Sequence, residues 1–217
     1  MIALKKVTKA FGDIVALKDV SFEVEKGEFV YITGPSGAGK TTLLRMILVE
    51  IKPDSGSVIV DGTDTGKVAK KEVPLLRQKI GVVFQDFKIL PERTVRENVE
   101  VALAVLGVEE DQWKGKVDSV LKMVGLEKRA ELFPKQLSGG ELQRVSFARA
   151  LVVNPKIILA DEPTGNLDWD TAEALIDLLE MINKEGKTVI MATHHKQIVE
   201  KHKHRTIHLE GGKIKGK

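Results

Sequence analysis

Nine residues, Gly34-Pro35-Ser36-Gly37-Ala38-Gly39-Lys40-Thr41-Thr42, decide the fold. They match the pattern G-x-x-x-x-G-K-[ST], which marks a loop that binds the phosphates of a nucleotide. The flanks have the order that this loop requires, because an apolar run over residues 29–32 precedes it and a mostly apolar run over residues 43–48 follows it. We therefore predict a buried strand, a phosphate-binding loop and a helix, in that order.

The residue types in this loop suit a triphosphate bound together with Mg²⁺. Glycines allow backbone N–H groups to turn toward phosphate oxygens, and the following helix directs the positive end of its dipole at the same anion. We expect Lys40 to reach the β- and γ-phosphates and the Thr41 hydroxyl to ligate Mg²⁺. A Gly-rich turn that carries a lysine by chance is the alternative, and the complete motif between both flanks disfavours it. The sequence predicts a protein that binds a nucleoside triphosphate.

The composition limits the class of protein. The 217 residues fit one α/β domain with an inserted subdomain, and the absence of cysteine excludes disulfides and cysteine-based sites. No apolar run approaches the roughly 18 residues that span a bilayer, and the first residues lack the apolar segment of a signal peptide. We expect a cytoplasmic protein that acts at a membrane only through a partner. A net charge of +3 is too small to indicate a nucleic-acid partner.

The N-terminal part is predicted to form strands around the loop. Alternation of apolar and polar residues predicts strands at Ile2–Thr8, Ala16–Val24 and Glu28–Thr33. Residues 25–28 are predicted to form a hairpin turn between the last two. Phe11 lies where the first strand should end, and its ring could stack on a purine base, although an ordinary core or loop aromatic is the better interpretation of the residue alone. A short helix is predicted to end near Pro74.

Polar residues that suit phosphate chemistry stand at the ends of three later apolar runs, namely Gln85, the pair Asp161-Glu162, and His194. Ligands of open α/β sheets collect outside the carboxyl ends of the strands. Asp161 suits Mg²⁺, and Glu162 can orient or deprotonate the attacking water. Gln85 can reach the metal or the water, and His194 can hold the γ-phosphate. Without further context, a surface amide and a structural histidine are equally good interpretations of Gln85 and His194.

The segment between these runs, from residue 87 to about 155, is predicted to be helical. Thr94 and Glu97 form a capping box before one helix, and a second helix is predicted over Glu110–Val124. Ser138-Gly139-Gly140-Glu141 begins a third helix, whose free N–H groups and dipole make a second anion site. Either the chain binds two nucleotides, or the second site serves a neighbouring copy.

The ordered set of motifs resembles the ATP-binding subunit of ABC transporters along the whole chain. The set comprises the phosphate loop, Gln85, Leu137–Glu141, Asp161-Glu162, Leu167-Asp168 and His194, of which the Leu-Ser-Gly-Gly stretch is the most specific. The resemblance implies an α/β fold of the P-loop NTPase type, in which a RecA-like, mostly parallel core carries an N-terminal antiparallel β subdomain and an inserted α-helical subdomain. It implies one domain over residues 1–217, with the helical signature subdomain at about 87–155 and the remainder at about 1–86 and 156–217.

The same resemblance implies roles for the individual residues. Phe11 would stack on adenine, Gln85 would be the Q-loop glutamine, and His194 would be the switch histidine. The residues Ser138, Gly139, Gly140 and Glu141 would contact ATP held by the opposite subunit, so that two chains pair head to tail around two ATP molecules. Asp168 would lie at that interface. Glu141 stands where glutamine is frequent and Phe11 where tyrosine is usual, and each keeps the polar or stacking character of its position.

Within that superfamily, three stretches resemble the ATPases of bacterial cell division, namely residues 82–87, 93–99 and 160–168. This resemblance implies an FtsX-like integral membrane partner, control of cell-wall hydrolysis, and division-ring proteins as further candidate partners. An energising subunit of a lipoprotein-release or macrolide-type exporter is the alternative, since those relatives share residues 163–168. DNA-repair ATPases need a coiled-coil insertion, translation ATPases carry two cassettes, and GTPases need a guanine-reading motif, and this sequence has none of these features.

Overall fold

The computed structural model describes residues 1–216, and Lys217 lies outside the described residues. Ten strands and seven α-helices occur in that range. The strands are β1 (Ile2–Phe11), β2 (Ile14–Val24), β3 (Phe29–Thr33), β4 (Ser55–Val60), β5 (Thr63–Asp64), β6 (Ile80–Phe84), β7 (Ile157–Asp161), β8 (Thr188–Thr193), β9 (Arg205–Glu210) and β10 (Lys213–Ile214). The helices are α1 (Lys40–Ile47), α2 (Val73–Arg77), α3 (Val95–Val105), α4 (Trp113–Met123), α5 (Gly139–Leu151), α6 (Trp169–Lys184) and α7 (Lys196–Lys201).

The larger sheet has six strands in the order β10-β9-β3-β8-β7-β6. Its five strands from β9 to β6 pair in parallel, and the short edge strand β10 is antiparallel. Strand β3 lies inside this sheet, and four of its five residues are buried, as both faces of a parallel sheet require cover. The phosphate loop follows β3, so it lies at the carboxyl edge of the sheet.

The smaller sheet is antiparallel and has the order β2-β1-β4-β5. The predicted hairpin across residues 25–28 is wrong, because β2 and β3 belong to different sheets. The turn is instead fixed to the start of β8, where the Gly27 N–H donates to Thr188 Oγ1 at 3.0 Å and the Val189 N–H donates to the Glu28 carbonyl at 2.9 Å. The hairpin of this region joins β1 to β2, which are both longer than predicted and pair Phe11 with Ile14.

The helices between β6 and β7 follow the capping signals. Thr94 and Glu97 form the predicted capping box of α3, and Ser138 and Glu141 form a second one at the start of α5. The predicted helix over Glu110–Val124 is a 3₁₀ turn at residues 110–112 followed by α4. The prediction that a helix ends near Pro74 is wrong, because α2 starts at Val73. Proline is favoured in the first turn of a helix, where its missing N–H costs nothing.

Two apolar cores cover the two faces of the larger sheet. Successive side chains of β3 point to opposite faces, so Phe29 and Tyr31 join one core while Val30 and Ile32 join the other. The first core includes residues of α3 to α6, and the second includes α1 and the antiparallel sheet. The predicted fold class is therefore confirmed, whereas the boundaries at residues 86–87 and 155–156 stay a prediction. Among the described helices, none is long and apolar enough to cross a bilayer.

Candidate functional site

The cavity at the carboxyl edge of the larger sheet has two neighbouring parts, of about 540 Å³ around the phosphate loop and about 410 Å³ beside it. The part around the loop is lined by Ile14, Val15, Ala16, Pro35, Ser36, Gly37, Ala38, Gly39, Lys40, Thr41, Thr42, Gln85, Glu162 and His194. Gly34 borders the neighbouring part, which His194 also lines. The topology therefore brings the predicted loop together with three polar residues that are remote from it in sequence.

The backbone of the loop explains its glycines. Gly34 and Gly39 have φ angles of 146° and 101°, which residues with a side chain rarely adopt. A Cβ on Gly34 would lie 2.1 Å from the Leu209 carbonyl oxygen, and one on Gly39 would lie 2.5 Å from the Ala16 carbonyl oxygen. The loop is thus packed directly against β2 and β9. Its backbone can close around an anion at the start of α1 because no side chains intervene.

Lys40 is held inside the loop and is only 7% exposed. Its Nζ donates to the carbonyl oxygens of Gly34 at 2.8 Å and Pro35 at 3.1 Å. The Glu162 carboxylate lies 3.3 Å from the same nitrogen. The ammonium group therefore has partners in the described chain while it stands at the wall of the cavity.

Thr41 and Asp161 form a pair of oxygen donors beside the loop. The Thr41 hydroxyl donates to Asp161 Oδ1 at 3.3 Å. Burial raises the pKa of Asp161, and the nearby Glu162 carboxylate adds to this, while Thr41 and Lys40 oppose it. A partly buried carboxylate with a raised pKa gains from a cation, and hydroxyl and carboxylate oxygens are ligands that Mg²⁺ accepts. The oxygen donors of Thr41 and Asp161 therefore suit Mg²⁺.

Glu162 lies between a cationic group and a histidine. Its Oε2 accepts from the His194 backbone N–H at 3.2 Å and lies 2.8 Å from His194 Nδ1, while Oε1 faces Lys40. Glu162 has a φ of 49°, in the left-handed region that is costly for a residue with a side chain. The Glu162 N–H donates to the Ala192 carbonyl at 2.9 Å, which ties this backbone to β8.

Gln85 follows β6 and reaches the cavity from the side of the helical segment. Asn166 Nδ2 donates to the Gln85 carbonyl at 3.3 Å, and a Cβ on Gly165 would lie 3.1 Å from Gln85 Nε2. The turn after β7 therefore packs against this glutamine. Gln85 is exposed and lines the cavity at the phosphate loop, so the surface amide and the ligand residue both stay open as interpretations of it.

Phe11 ends β1 as predicted, and the residue is 45% exposed. Lys9 Nζ lies 5.4 Å from the ring centroid, and Ile14 opposite Phe11 is 72% exposed. Sequence reasoning missed Ile14 and Val15, which line the cavity itself. Two adjacent apolar residues directly after the Gly12-Asp13 turn were the available signal, because turns lie at the surface and exposed apolar clusters mark binding surfaces.

The residues of the second anion site lie together with Asp168. Ser138 is exposed and caps α5, and its hydroxyl donates to Glu141 Oε2 at 2.9 Å. Asp168 caps α6, accepting from the Thr171 N–H at 3.0 Å and the Thr171 hydroxyl at 2.7 Å. A Cβ on Gly140 would meet the Thr171 methyl group at 2.5 Å, so the two helix starts are in contact. Within the described chain, these residues do not line the cavity at the phosphate loop.

The half-buried Arg149 and the fully buried Asn98, whose roles the sequence did not indicate, hold the segment after Gln85. The Arg149 guanidinium donates to the carbonyl oxygens of Phe87 and Lys88 at 2.8 and 2.6 Å, and both of these residues have positive φ. Asn98 is fully buried and bonds to backbone groups of residues 90–94. The path from Gln85 to α3 is therefore fixed by side chains of the helical segment.

Comparison with known proteins gives concordant results. The ABC transporter family model matches residues 17–165. The cell division ATP-binding protein FtsE of Bacillus subtilis is 51% identical over 215 residues, covering 99% of this chain and 94% of that protein. The dimeric structure of MJ0796, a bacterial ABC transporter cassette, has a TM-score of 0.89 at 42% identity and covers 100% of this chain and 97% of that one. A dimer of MJ0796 in a post-hydrolysis state bound to ADP and Pi has a TM-score of 0.88 at 40% identity, with the same coverage.

The resemblance drawn from the motifs is thus confirmed by a family model over two thirds of the chain and by relatives that align along nearly all of it. The chain belongs to the ABC transporter family, in which it is an ATP-hydrolysing cassette.

Proposed function

We propose that this chain is the ATPase subunit of a membrane complex in cell division, in which two copies enclose two Mg-ATP and drive an FtsX-like integral membrane partner. The proposed ATPase chemistry rests chiefly on the Glu162 carboxylate, which lies between Lys40 and His194 at the wall of the phosphate-loop cavity. The cellular part rests on FtsE of Bacillus subtilis and of Escherichia coli, at 51% and 43% identity over nearly the whole chain.

The phosphate loop would bind the triphosphate. Backbone N–H groups of residues 34–42 and the start of α1 would face its oxygens, and Lys40 would exchange its carbonyl partners for the β- and γ-phosphates. Thr41, Asp161 and Gln85 would hold Mg²⁺, which when bound neutralises charge on the β- and γ-phosphates. Phe11 would lie against the adenine with the exposed apolar residues of the β1–β2 hairpin.

Glu162 would activate the attacking water, and His194 would orient that carboxylate and the γ-phosphate. A general base must lie within hydrogen-bond reach of the proton it takes, and the Glu162 carboxylate lines the cavity that would hold the water. The contact of 2.8 Å with His194 Nδ1 fixes one carboxylate oxygen. A displaced Lys40 would leave the other oxygen free to accept the proton.

The second anion site would complete the site of another copy. Ser138, Gly139, Gly140 and Glu141 lie at an exposed helix start, away from the cavity of their own chain. The dimeric structure of MJ0796 supports a homodimer of this type. Asp168 would link the two sites, since its partner Thr171 packs against Gly140.

The membrane partner would dock beside the helical segment, so that the chain lies peripherally on the cytoplasmic face of the membrane. A groove of about 410 Å³ is lined by residues of α2, β6, α3 and α5, and the nearby side chains of Leu75 and Val105 are 61% and 79% exposed. This groove adjoins the segment after Gln85, so a movement of Gln85 on ATP turnover would reach the partner. Division-ring proteins are further candidate partners, and no nucleic acid is involved in this proposal.

Replacement of Glu162 by glutamine tests the chemical part. We expect Glu162→Gln to retain ATP binding, to lose at least about a hundredfold in turnover, and to accumulate as a dimer with ATP. The matched control is Glu131→Gln, which removes an exposed carboxylate that pairs with Arg96. Turnover by Glu162→Gln equal to that of the control would refute the assignment of the general base.

Capture of the ATP-loaded Glu162→Gln dimer from native membranes tests the cellular part. Cross-linking and mass spectrometry should recover a membrane subunit with a large extracytoplasmic domain, together with division proteins. Recovery of an exporter permease with a periplasmic adaptor or lipoprotein carrier instead would refute the division role and leave the ATPase chemistry unchanged.

A further inference from the structure

Three ionisable residues meet between α6 and the start of β9, at a place that the ATPase chemistry does not use. Asp177 and Glu180 lie three residues apart and share a face of α6, and His202 lies three residues before β9. One possible ligand atom from each of these residues lies within 4.8 Å of the corresponding atoms of the other two. The cluster joins segments that are more than 20 residues apart in sequence.

A fourth residue, His204, shares the central carboxylate. Glu180 Oε1 lies 3.0 Å from His202 Nδ1 and 2.9 Å from His204 Nε2. Ligand atoms of one tetrahedral zinc ion lie roughly 3.3 Å apart, given bond lengths of about 2.0–2.2 Å to nitrogen and oxygen. An ion could therefore replace the hydrogen bond between Glu180 and His202, whereas His204 is outside the group of atoms within 4.8 Å of one another and its ring would have to shift to become a fourth ligand.

The burial of the cluster suits a closed site with one open side. His202, Glu180 and His204 are 10%, 23% and 25% exposed, whereas Asp177 is exposed and leaves a path for an ion from solvent. The ring of His204 is held by stacking on Phe29, with ring centroids 4.1 Å apart. The His204 ring is therefore positioned by packing before any ion arrives, and Glu180 and His202 are mostly shielded from solvent.

The polar groups at this place are not all satisfied by the chain. Within residues 1–216, the buried atoms His202 Nε2 and Tyr31 Oη have no hydrogen-bond partner. The Tyr31 ring lies 5.8 Å from the His204 ring, so both unpaired groups belong to this part of the core. Buried polar groups without partners are rare, but His202 faces Glu180 through Nδ1, so its unpaired Nε2 marks an unsatisfied core beside the cluster and not a ligand atom aimed at the ion.

We propose that Asp177, Glu180 and His202, together with His204, bind a divalent cation of the zinc class that fastens α6 to the start of β9. Two imidazoles and two carboxylates are ligands that zinc accepts, and the two carboxylates offset the charge of the ion. The site is distinct from the nucleotide site, because His202 and His204 precede the strand β9 whereas the phosphate loop lies beyond the carboxyl end of β3, which is parallel to β9.

Calorimetric titration of the untagged, chelator-treated, nucleotide-free protein with Zn²⁺ tests the proposal. We expect one equivalent to bind and the thermal midpoint of unfolding to rise with it. The double variant His202→Gln/His204→Gln should weaken binding at least about a hundredfold. The matched control is His194→Gln/His195→Gln, which also removes two histidines but leaves the cluster intact. This variant should bind Zn²⁺ at the cluster with the affinity of the parent.

A second variant keeps the test decisive if the double variant folds poorly. Asp177 is exposed, so Asp177→Asn should fold normally and weaken Zn²⁺ binding about tenfold or more. Unchanged affinity in Asp177→Asn, or an absence of saturable binding in the parent, would overturn the proposal. Loss of binding in the His194/His195 control with retention in the His202/His204 variant would also overturn it, because the ion would then occupy the nucleotide site.

Discussion

Removal of the Asn98 side chain should destabilise the segment that links Gln85 to the helical segment. Asn98 is fully buried, and its Oδ1 accepts from the Leu90 N–H at 2.8 Å. Its Nδ2 donates to the carbonyl oxygens of Leu90 and Arg93 at 3.0 Å and of Thr94 at 2.9 Å. Asn98→Ala removes all four of these bonds. The expected loss of stability depends on how many of the bonded groups keep another partner.

The cost can be worked out group by group. The Thr94 carbonyl keeps the Asn98 backbone N–H as a donor at 2.9 Å, and the Leu90 carbonyl keeps the Arg93 N–H at 3.3 Å. The Leu90 N–H and the Arg93 carbonyl lose the partner that Asn98 provides. These bonds are only part-buried, and a hydrogen bond contributes about 0.5–1.5 kcal/mol net, so we expect the four bonds lost in Asn98→Ala to cost together about 3 kcal/mol of the free energy of unfolding.

Equilibrium unfolding in urea, without nucleotide, measures this loss. With a slope of about 3 kcal/mol per molar urea, the midpoint should fall by about 1 M while the slope stays constant. The matched control is Asn166→Ala, because Asn166 is exposed and makes one bond of 3.3 Å, so it should change stability by less than about 0.5 kcal/mol. Equal midpoints for the two variants would refute the reasoning.

Two further predictions concern the site. Gly140→Ala should push the Thr171 methyl group aside, weaken the cap of α6 and lower stability by about 1 kcal/mol, whereas Gly139→Ala, with nothing within 4 Å of its Cβ, should be tolerated. Urea midpoints compare the two, and equal midpoints would count against the contact. Burial raises the pKa of Asp161 in the folded protein above its value in the unfolded chain. The free energy of unfolding therefore falls as pH rises through the folded pKa, because the buried carboxyl must then ionise. Asp161→Asn should therefore raise the thermal midpoint by a few degrees at pH 7 without Mg²⁺ and nucleotide, and a lower midpoint there would contradict this.

The sequence predicted the local features of the site because their signals are local. A phosphate loop needs nine adjacent residues, and each of Gln85, Asp161 and His194 stands at the end of an apolar run that forms a strand. The family and the fold class predicted from these signals are confirmed by the family model and by the solved cassette structures. The roles of the site residues stay predictions, since their geometry fits the chemistry without testing it.

The features that the sequence did not predict depend on pairing between remote segments. The turn at residues 25–28 has the composition of a hairpin, and only the pairing of β3 with β8 and β9 places its two strands in different sheets. Proline near a helix signals a boundary but not which end it marks, so Pro74 was misassigned. The contact of Glu180 with His202 and His204 joins α6 to the segment just before β9, and no spacing in the sequence indicates it.

The position of β3 has a consequence for synthesis of the chain on the ribosome. Phe29 pairs with Val189 and Val30 pairs with Arg205, so β3 has no sheet neighbour until about 160 further residues have been made. The Leu209 carbonyl, on which Gly34 packs, is made later still. The ability to hold a nucleotide therefore arises only after β9 has been made, and a nascent chain that stops short of β8 exposes β3 without any of its sheet neighbours.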